Sequence, residues 1–155
     1  MALFLSKYLN KVDKKGRVSV PARFRATLAE KGYTTVILFP TIGGDAINAC
    51  GMDVMEGLLE SLGRLDLYSE EQDSDADVLM AESVELPIDG DGRIVIPLEM
   101  LRAVGIQDAC VFAGRGDSFR IWEPKAYEAN IAAAKERARA KRARKSARMA
   151  EGAND

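Results

Sequence analysis

Histidine is absent from all 155 residues, which removes the commonest general base and the commonest metal ligand. Cysteine occurs only at Cys50 and Cys110, far apart in sequence. Two such thiols form no disulfide framework and no metal cluster, and they fit a reducing cytosol better than a secreted context. No stretch approaches the ~20 consecutive apolar residues that a membrane span needs. The opening Met1-Ala2-Leu3-Phe4-Leu5 reaches Lys7 too soon for a signal peptide. A phosphate loop is missing too, since Gly114-x-Gly116 lacks the rest of a dinucleotide fingerprint. Paired carboxylates are the only catalytic chemistry left, and none of the acids has a positional argument for it. The expectation is a cytoplasmic protein with no catalytic residue, no metal, no cofactor and no small-molecule substrate.

What is present is a duplication. Asp13-Lys14-Lys15-Gly16-Arg17-Val18-Ser19-Val20-Pro21 returns 76 residues later as Asp89-Gly90-Asp91-Gly92-Arg93-Ile94-Val95-Ile96-Pro97. Each copy is a polar turn running into a short β-branched strand that ends at proline. After each proline comes a helical stretch ending at glycine, Ala22–Lys31 before Gly32 and Leu98–Val104 before Gly105. Apolar runs follow, Val36-Ile37-Leu38-Phe39 and Ala109-Cys110-Val111-Phe112, and then Asp45-Ala46-Ile47 aligns with Asp117-Ser118-Phe119. The displacement falls from 76 to 73 to 72, which asks for one length change in the helix and one in the hairpin loop. Self-similarity at this spacing means a duplicated half.

The net charge of −2 hides an asymmetry. Residues 135–148 carry eight basic side chains and one acid, whereas residues 56–92 hold twelve acids against the single base Arg64. Electrostatics act over a Debye length of about 8–10 Å, so the local sign decides what a surface binds. The basic arm has two readings, a solvated disordered tail or a non-specific DNA anchor.

Lys7–Val12 and Arg17–Val20 read as two strands joined by the Asp-Lys-Lys-Gly turn, in which Asp13 starts the turn and Gly16 supplies a positive φ. Pro21 suits the first helical position. Met52–Leu62 is predicted helical, with Val54, Met55, Leu58, Leu59 and Leu62 on one face. Ser69-Glu70-Glu71-Gln72 has capping-box spacing and starts a middle helix to about Ser83, with Val78 and Leu79 as its apolar contribution. Val84–Ile88 opens the second copy, which closes on Phe119–Trp122 and a helix from Pro124, with Trp122 and Tyr127 in its core. Past Ile131 almost no large apolar residue remains, so a frayed helical arm is expected there. The expected domains are a first repeat at 4–63, an acidic connection at 64–83, a second repeat at 84–134 and a basic arm at 135–155. Asp73-x-Asp75-x-Asp77 is read as an acidic helix face rather than a calcium loop, because Val78 and Val84 stand where that loop needs glycine and a bidentate acid. Arg115-Gly116-Asp117 is read as a hairpin turn.

The paired motifs Asp13…Arg17 and Asp89…Arg93, with the duplication, make residues 4–131 resemble the MraZ family of bacterial transcriptional regulators. The resemblance implies an α+β fold with a mainly β core: two tandem swapped-hairpin half-barrels of the AbrB/MazE type in one chain, with peripheral helices. It further implies ring-shaped homo-oligomers, association with the nucleoid, and promoter repeats rich in guanine ahead of the division and cell-wall gene cluster, where the protein represses and autoregulates. By position the DNA-binding residues become Lys14, Lys15, Arg17, Arg23 and Arg93, with Asp13, Gly16, Asp89 and Gly92 as turn scaffold.

The chemistry agrees. Arginine pairs in bidentate fashion with guanine O6 and N7, and a two-stranded ribbon fits a major groove about 12 Å wide. Lysine suits phosphate, where a compact charge needs no fixed geometry. The copies differ in charge: Lys14-Lys15 face Gly90-Asp91, and Arg23 and Arg25 correspond to Glu99 and Leu101. On charge, the first copy is the better DNA reader. Two other classes compete: an AbrB-fold antitoxin whose arm occupies a toxin, and an enzyme resting on carboxylates.

Overall fold

The computed structural model of the chain describes residues 2–63 and 70–153. Eight strands and five helices follow one another as β1 (Lys7–Lys11), β2 (Arg17–Ser19), α1 (Ala22–Glu30), β3 (Thr35–Pro40), β4 (Ile47–Cys50), α2 (Met52–Gly63), α3 (Glu70–Ala81), β5 (Val84–Pro87), β6 (Arg93–Val95), α4 (Leu98–Ala103), β7 (Ala109–Gly114), β8 (Phe119–Trp122) and α5 (Pro124–Ala153). The architecture is α+β with a mainly β core, as the sequence led one to expect. Two compact units divide at Pro124, the first holding every strand and α1 to α4, the second the rest of α5.

Six strands form one antiparallel sheet in the order β1-β7-β8-β4-β3-β5, and β2 pairs with β6 in a separate two-stranded ribbon. This order exchanges strands between the copies. β1 of the first repeat lies on β7 of the second, with Tyr8 opposite Phe112, and β5 of the second lies on β3 of the first, with Val84 opposite Leu38. At the centre β4 and β8 meet across the pseudo-twofold, with Ile47 opposite Ile121. Backbone bonds obey the same symmetry: Val20 N donates to Gly92 O at 2.9 Å, and Ile96 N donates to Gly16 O at 2.9 Å.

The two strands flanking each turn therefore do not ladder with each other. Asp13 N donates to Arg17 O at 3.0 Å to close the turn, but β1 and β2 then leave for different partners. Burial explains why. Val18 and Ile94 face each other in the β2–β6 ribbon at 2% and 1% exposure, and a local hairpin would not bring these two apolar side chains together.

Strand register refines the alignment of the copies. Thr35 pairs with Pro87 where Ala109 pairs with Lys11, so β3 and β7 are displaced by 74 residues (109 less 35), not 73. The turn after each helix keeps 73: Tyr33 N bonds to Leu28 O as Ile106 N bonds to Leu101 O. A third length change thus sits between that turn and the strand, where the second copy has one more residue. Side-chain similarity in two apolar runs did not reveal it.

The core joins both repeats. Phe4 and Phe24 from the first pack with Phe112 and Phe119 from the second, the Phe24–Phe119 centroids being 4.8 Å apart. The other half has Leu38 and Ile47 where Phe112 and Phe119 stand. Helix α1 contributes Phe24, Thr27 and Leu28, one i, i+4 face. Pro21 precedes α1 as its N-cap residue, with φ −51° and ψ 137°, rather than occupying the first helical position, and Pro97 does the same before α4. The fixed φ of proline suits both places, and the extended ψ lets the strand turn into the helix. Trp122 is buried at 3% exposure.

Past Ile131 the arm is helical, and α5 runs continuously to Ala153. Alanine, arginine and lysine favour helix without a core to lean on. The capping box at Ser69 and the side chains of Asp73, Asp75 and Val78 lie outside the described residues, though the acidic segment itself belongs to α3.

Candidate nucleic-acid interface

Each turn is built the same way around its aspartate. Asp13 Oδ1 accepts from Lys15 N at 3.0 Å and Arg17 N at 2.8 Å, while Asp13 Oδ2 accepts from Arg17 Nε at 2.6 Å. Asp89 Oδ1 accepts from Asp91 N and Arg93 N, both at 2.9 Å, and Asp89 Oδ2 from Arg93 Nε at 3.3 Å. The hydrogen bond from the Arg17 side chain, with the turn amides, holds Asp13 below the usual carboxylate range. For Asp89 the backbone bond from Arg93 leads, aided by Asp91 N and the Arg93 charge. Gly16 has φ 88° and Gly92 φ 79°, in the left-handed region. A Cβ at Gly16 would also collide with the carbonyl oxygen of Ile96 from the other repeat.

The ribbon unites both motifs. Arg17 stands opposite Val95 and Ser19 opposite Arg93. Since Val18 and Ile94 point inward, the outer face presents Arg17, Ser19, Arg93 and Val95. Diagonal neighbours on such a ladder are about 7–8 Å apart, roughly two base-pair steps. Arg17 and Arg93 also line an open groove of about 420 Å³ with Lys11, Asp13 and Ser19. The ribbon is thus assembled from both copies.

The two arginines are not equally available. Among the described residues, no acceptor meets the terminal nitrogens of Arg17. Arg93 is held twice, by Asp89 and by Asp91 Oδ2 on its Nη2 at 3.2 Å. Asp91 stands where the first copy has Lys15, so one charge reversal turns an added cation into a clamp. Lys14 and Lys15 are exposed at the first turn, and Arg23 is exposed on α1 away from the groove walls.

Two further basic residues, outside the expected DNA-binding set, stand at the turns. Lys11 lies on the groove wall, on the solvent face of β1; strand alternation signals its exposure, but not its nearness to Arg17. Arg25 reaches the second turn: a Cβ at Gly92 would lie 2.5 Å from its Cζ. Nothing local in the sequence connects those two positions.

Catalytic chemistry has no foothold at the thiols. Burial pushes Cys50 up to about 11, with Asp53 adding to it, and Cys110 up to about 12. Neither forms the thiolate near neutral pH. No helix among the described residues is long and apolar enough to cross a membrane.

Residues 3–43 and 79–149 match the family model described as "MraZ protein, putative antitoxin-like". A relative from Rickettsia akari, named transcriptional regulator MraZ, is 42% identical over 134 residues, covering 86% of this chain and 90% of that protein. Relatives of the same name from Rickettsia bellii and Rickettsia felis are 41% and 42% identical, each alignment covering 92% of this chain and 95% of the relative.

Proposed function

The chain belongs to the MraZ family, and from that premise we propose that it is a DNA-binding transcriptional regulator whose cross-repeat ribbon enters the major groove. The observation that carries the proposal is the joint display of Arg17 and Arg93 on the outer face of one antiparallel ribbon. That spacing suits two guanines on nearby steps, each worth about 1–3 kcal/mol of discrimination. Lys14, Lys15 and Arg23 serve phosphates, where affinity needs charge but no fork. Asp13, Gly16, Asp89 and Gly92 hold the turns. Because Asp91 clamps Arg93 while, among the described residues, no acceptor meets the terminal nitrogens of Arg17, the first motif contributes more.

A single ribbon covers few base pairs, so repeated weak contacts gain from multivalency. A ring-shaped homo-oligomer on guanine-rich promoter repeats, repressing the division and cell-wall cluster and its own gene in the cytoplasmic nucleoid, is the fuller form of the proposal. Light scattering that finds only monomer removes the ring.

The decisive measurement is binding of wild type, Arg17→Ala and Arg93→Ala to the DNA upstream of the chain's own gene. Arg17→Ala is expected to lose about 1–3 kcal/mol of preference for that DNA over a scrambled duplex, and Arg93→Ala less. Wild-type tightness and selectivity in Arg17→Ala would remove the proposal. The antitoxin-like wording of the family description keeps a second reading in view, in which the C-terminal arm occupies a toxin. A stable complex with a small protein from a neighbouring gene, lost on deleting residues 135–155, would favour it.

A further inference from the structure

The second turn looks acidic in sequence, with Asp89 and Asp91 around one arginine, yet the fold gives it a cation from elsewhere. Arg25 projects from α1 of the first repeat so that its guanidinium lies against Gly92 of the second: a Cβ there would sit 2.5 Å from Cζ and 2.7 Å from Nε. Its Nε donates to Val20 O at 3.1 Å. Val20 N in turn donates to Gly92 O at 2.9 Å, so the arginine is anchored at the point where the repeats cross. Among the described residues no carboxylate pairs with it, and its terminal nitrogens meet no acceptor.

The pseudo-twofold supplies the contrast. At Gly16, the equivalent place on the first turn, the residue reaching over from the opposite helix is Leu98, whose Cδ2 would lie 3.5 Å from a Cβ at that glycine. The first turn therefore carries its cations at its own tip, as Lys14 and Lys15, and takes an apolar neighbour from α4. The second turn carries an acid at its tip and takes a guanidinium from α1. Glycine at 92 leaves the room that this guanidinium occupies.

We infer that Arg25 is a DNA phosphate-binding residue of the second turn, making that half of the ribbon a composite site assembled from both repeats. The inference rests on the DNA-binding reading above. A guanidinium held through Nε by one carbonyl keeps its two terminal nitrogens for the oxygens of a phosphate, the geometry arginine provides and leucine does not. Such a contact positions the ribbon without reading a base.

The test uses the full chain, its upstream promoter duplex and a scrambled duplex of equal length, with affinities measured between 50 and 200 mM salt. Arg25→Gln, which keeps a polar side chain and removes the charge, is expected to flatten the dependence of log affinity on log salt by about 0.9 and to weaken both duplexes by the same factor. Arg25→Lys is expected to retain the wild-type slope. A folded Arg25→Gln with the wild-type slope overturns the inference and leaves Arg25 as a clasp between the repeats. A folded Arg25→Lys whose slope drops like that of a neutral residue overturns it as well, as does a loss confined to the promoter duplex. Failure of the wild type to bind either duplex sinks the DNA-binding reading itself, an outcome distinct from a wild type that binds and an indifferent Arg25→Gln.

Discussion

The aspartate of each turn does two jobs with two oxygens: one satisfies turn amides, the other fixes an arginine at its Nε. Both carboxyls are held below their ordinary range, so the stabilisation is fully present above the unfolded carboxylate pKa of about 3.9. It is lost as pH falls through the lower folded values. For Asp13→Asn the expected result is a melting temperature a few degrees or less below wild type at pH 7, because the pair is exposed. That difference should narrow as pH falls below about 3.9 and close only once the wild-type carboxyl protonates at its lowered folded value. A gap of constant size from pH 7 to pH 3, followed by circular dichroism, would contradict the assignment. At this scale much was legible: Asp13, Gly16 and Arg17 announce the turn by residue type and spacing. Arg25 did not, because its partner Gly92 is remote in sequence and close only after the strands exchange.

Among the elements, locally encoded features were readable and partner choice was not. Proline before α1 and α4, the apolar stripe of α2 and the β-branched runs all mark elements where they occur. The helix of residues 124–153 also follows from composition. Past Ile131 the helix propensity of alanine, arginine and lysine favours it, and Arg139 pairs with Glu136 at 3.5 Å. If its eight basic residues at 135–148 neutralise phosphate, deleting 135–155 will flatten the salt dependence of binding, by about 0.9 for each phosphate lost. A deletion that binds with an unchanged slope leaves the arm a solvated helix. The pairing of β2 with β6 rather than with β1 was not readable, since a polar Asp-x-x-Gly turn is equally good chemistry whether or not its flanking strands ladder.

Across the whole molecule, neither repeat contains all of its own partners: β3–β4 and β7–β8 pair within a copy, and the other ladders cross. β1 needs β7, β5 needs β3, and β2 needs β6, each from the other copy. Residues 1–63 expressed alone should therefore be unfolded or, since β3 resembles β7, pair with a second copy of themselves. Size-exclusion chromatography with circular dichroism decides: a folded monomer of this fragment would contradict the exchange. The phenylalanine cluster, drawn from both repeats, enforces the same dependence.

By itself the sequence determined that this chain is a duplication, that its turns are aspartate-capped and arginine-bearing, and that its first turn is the more basic. Each of those is a property of residues near one another along the chain. The tertiary structure decided what the turns face. It placed Arg17 and Arg93 on one ribbon, let Asp91 restrain one of them, and brought Arg25 to Gly92. The physical reason is burial: Val18 and Ile94 leave water side by side in a core that both repeats build, and forming that core exchanges strands between the repeats and mixes their charges in one surface.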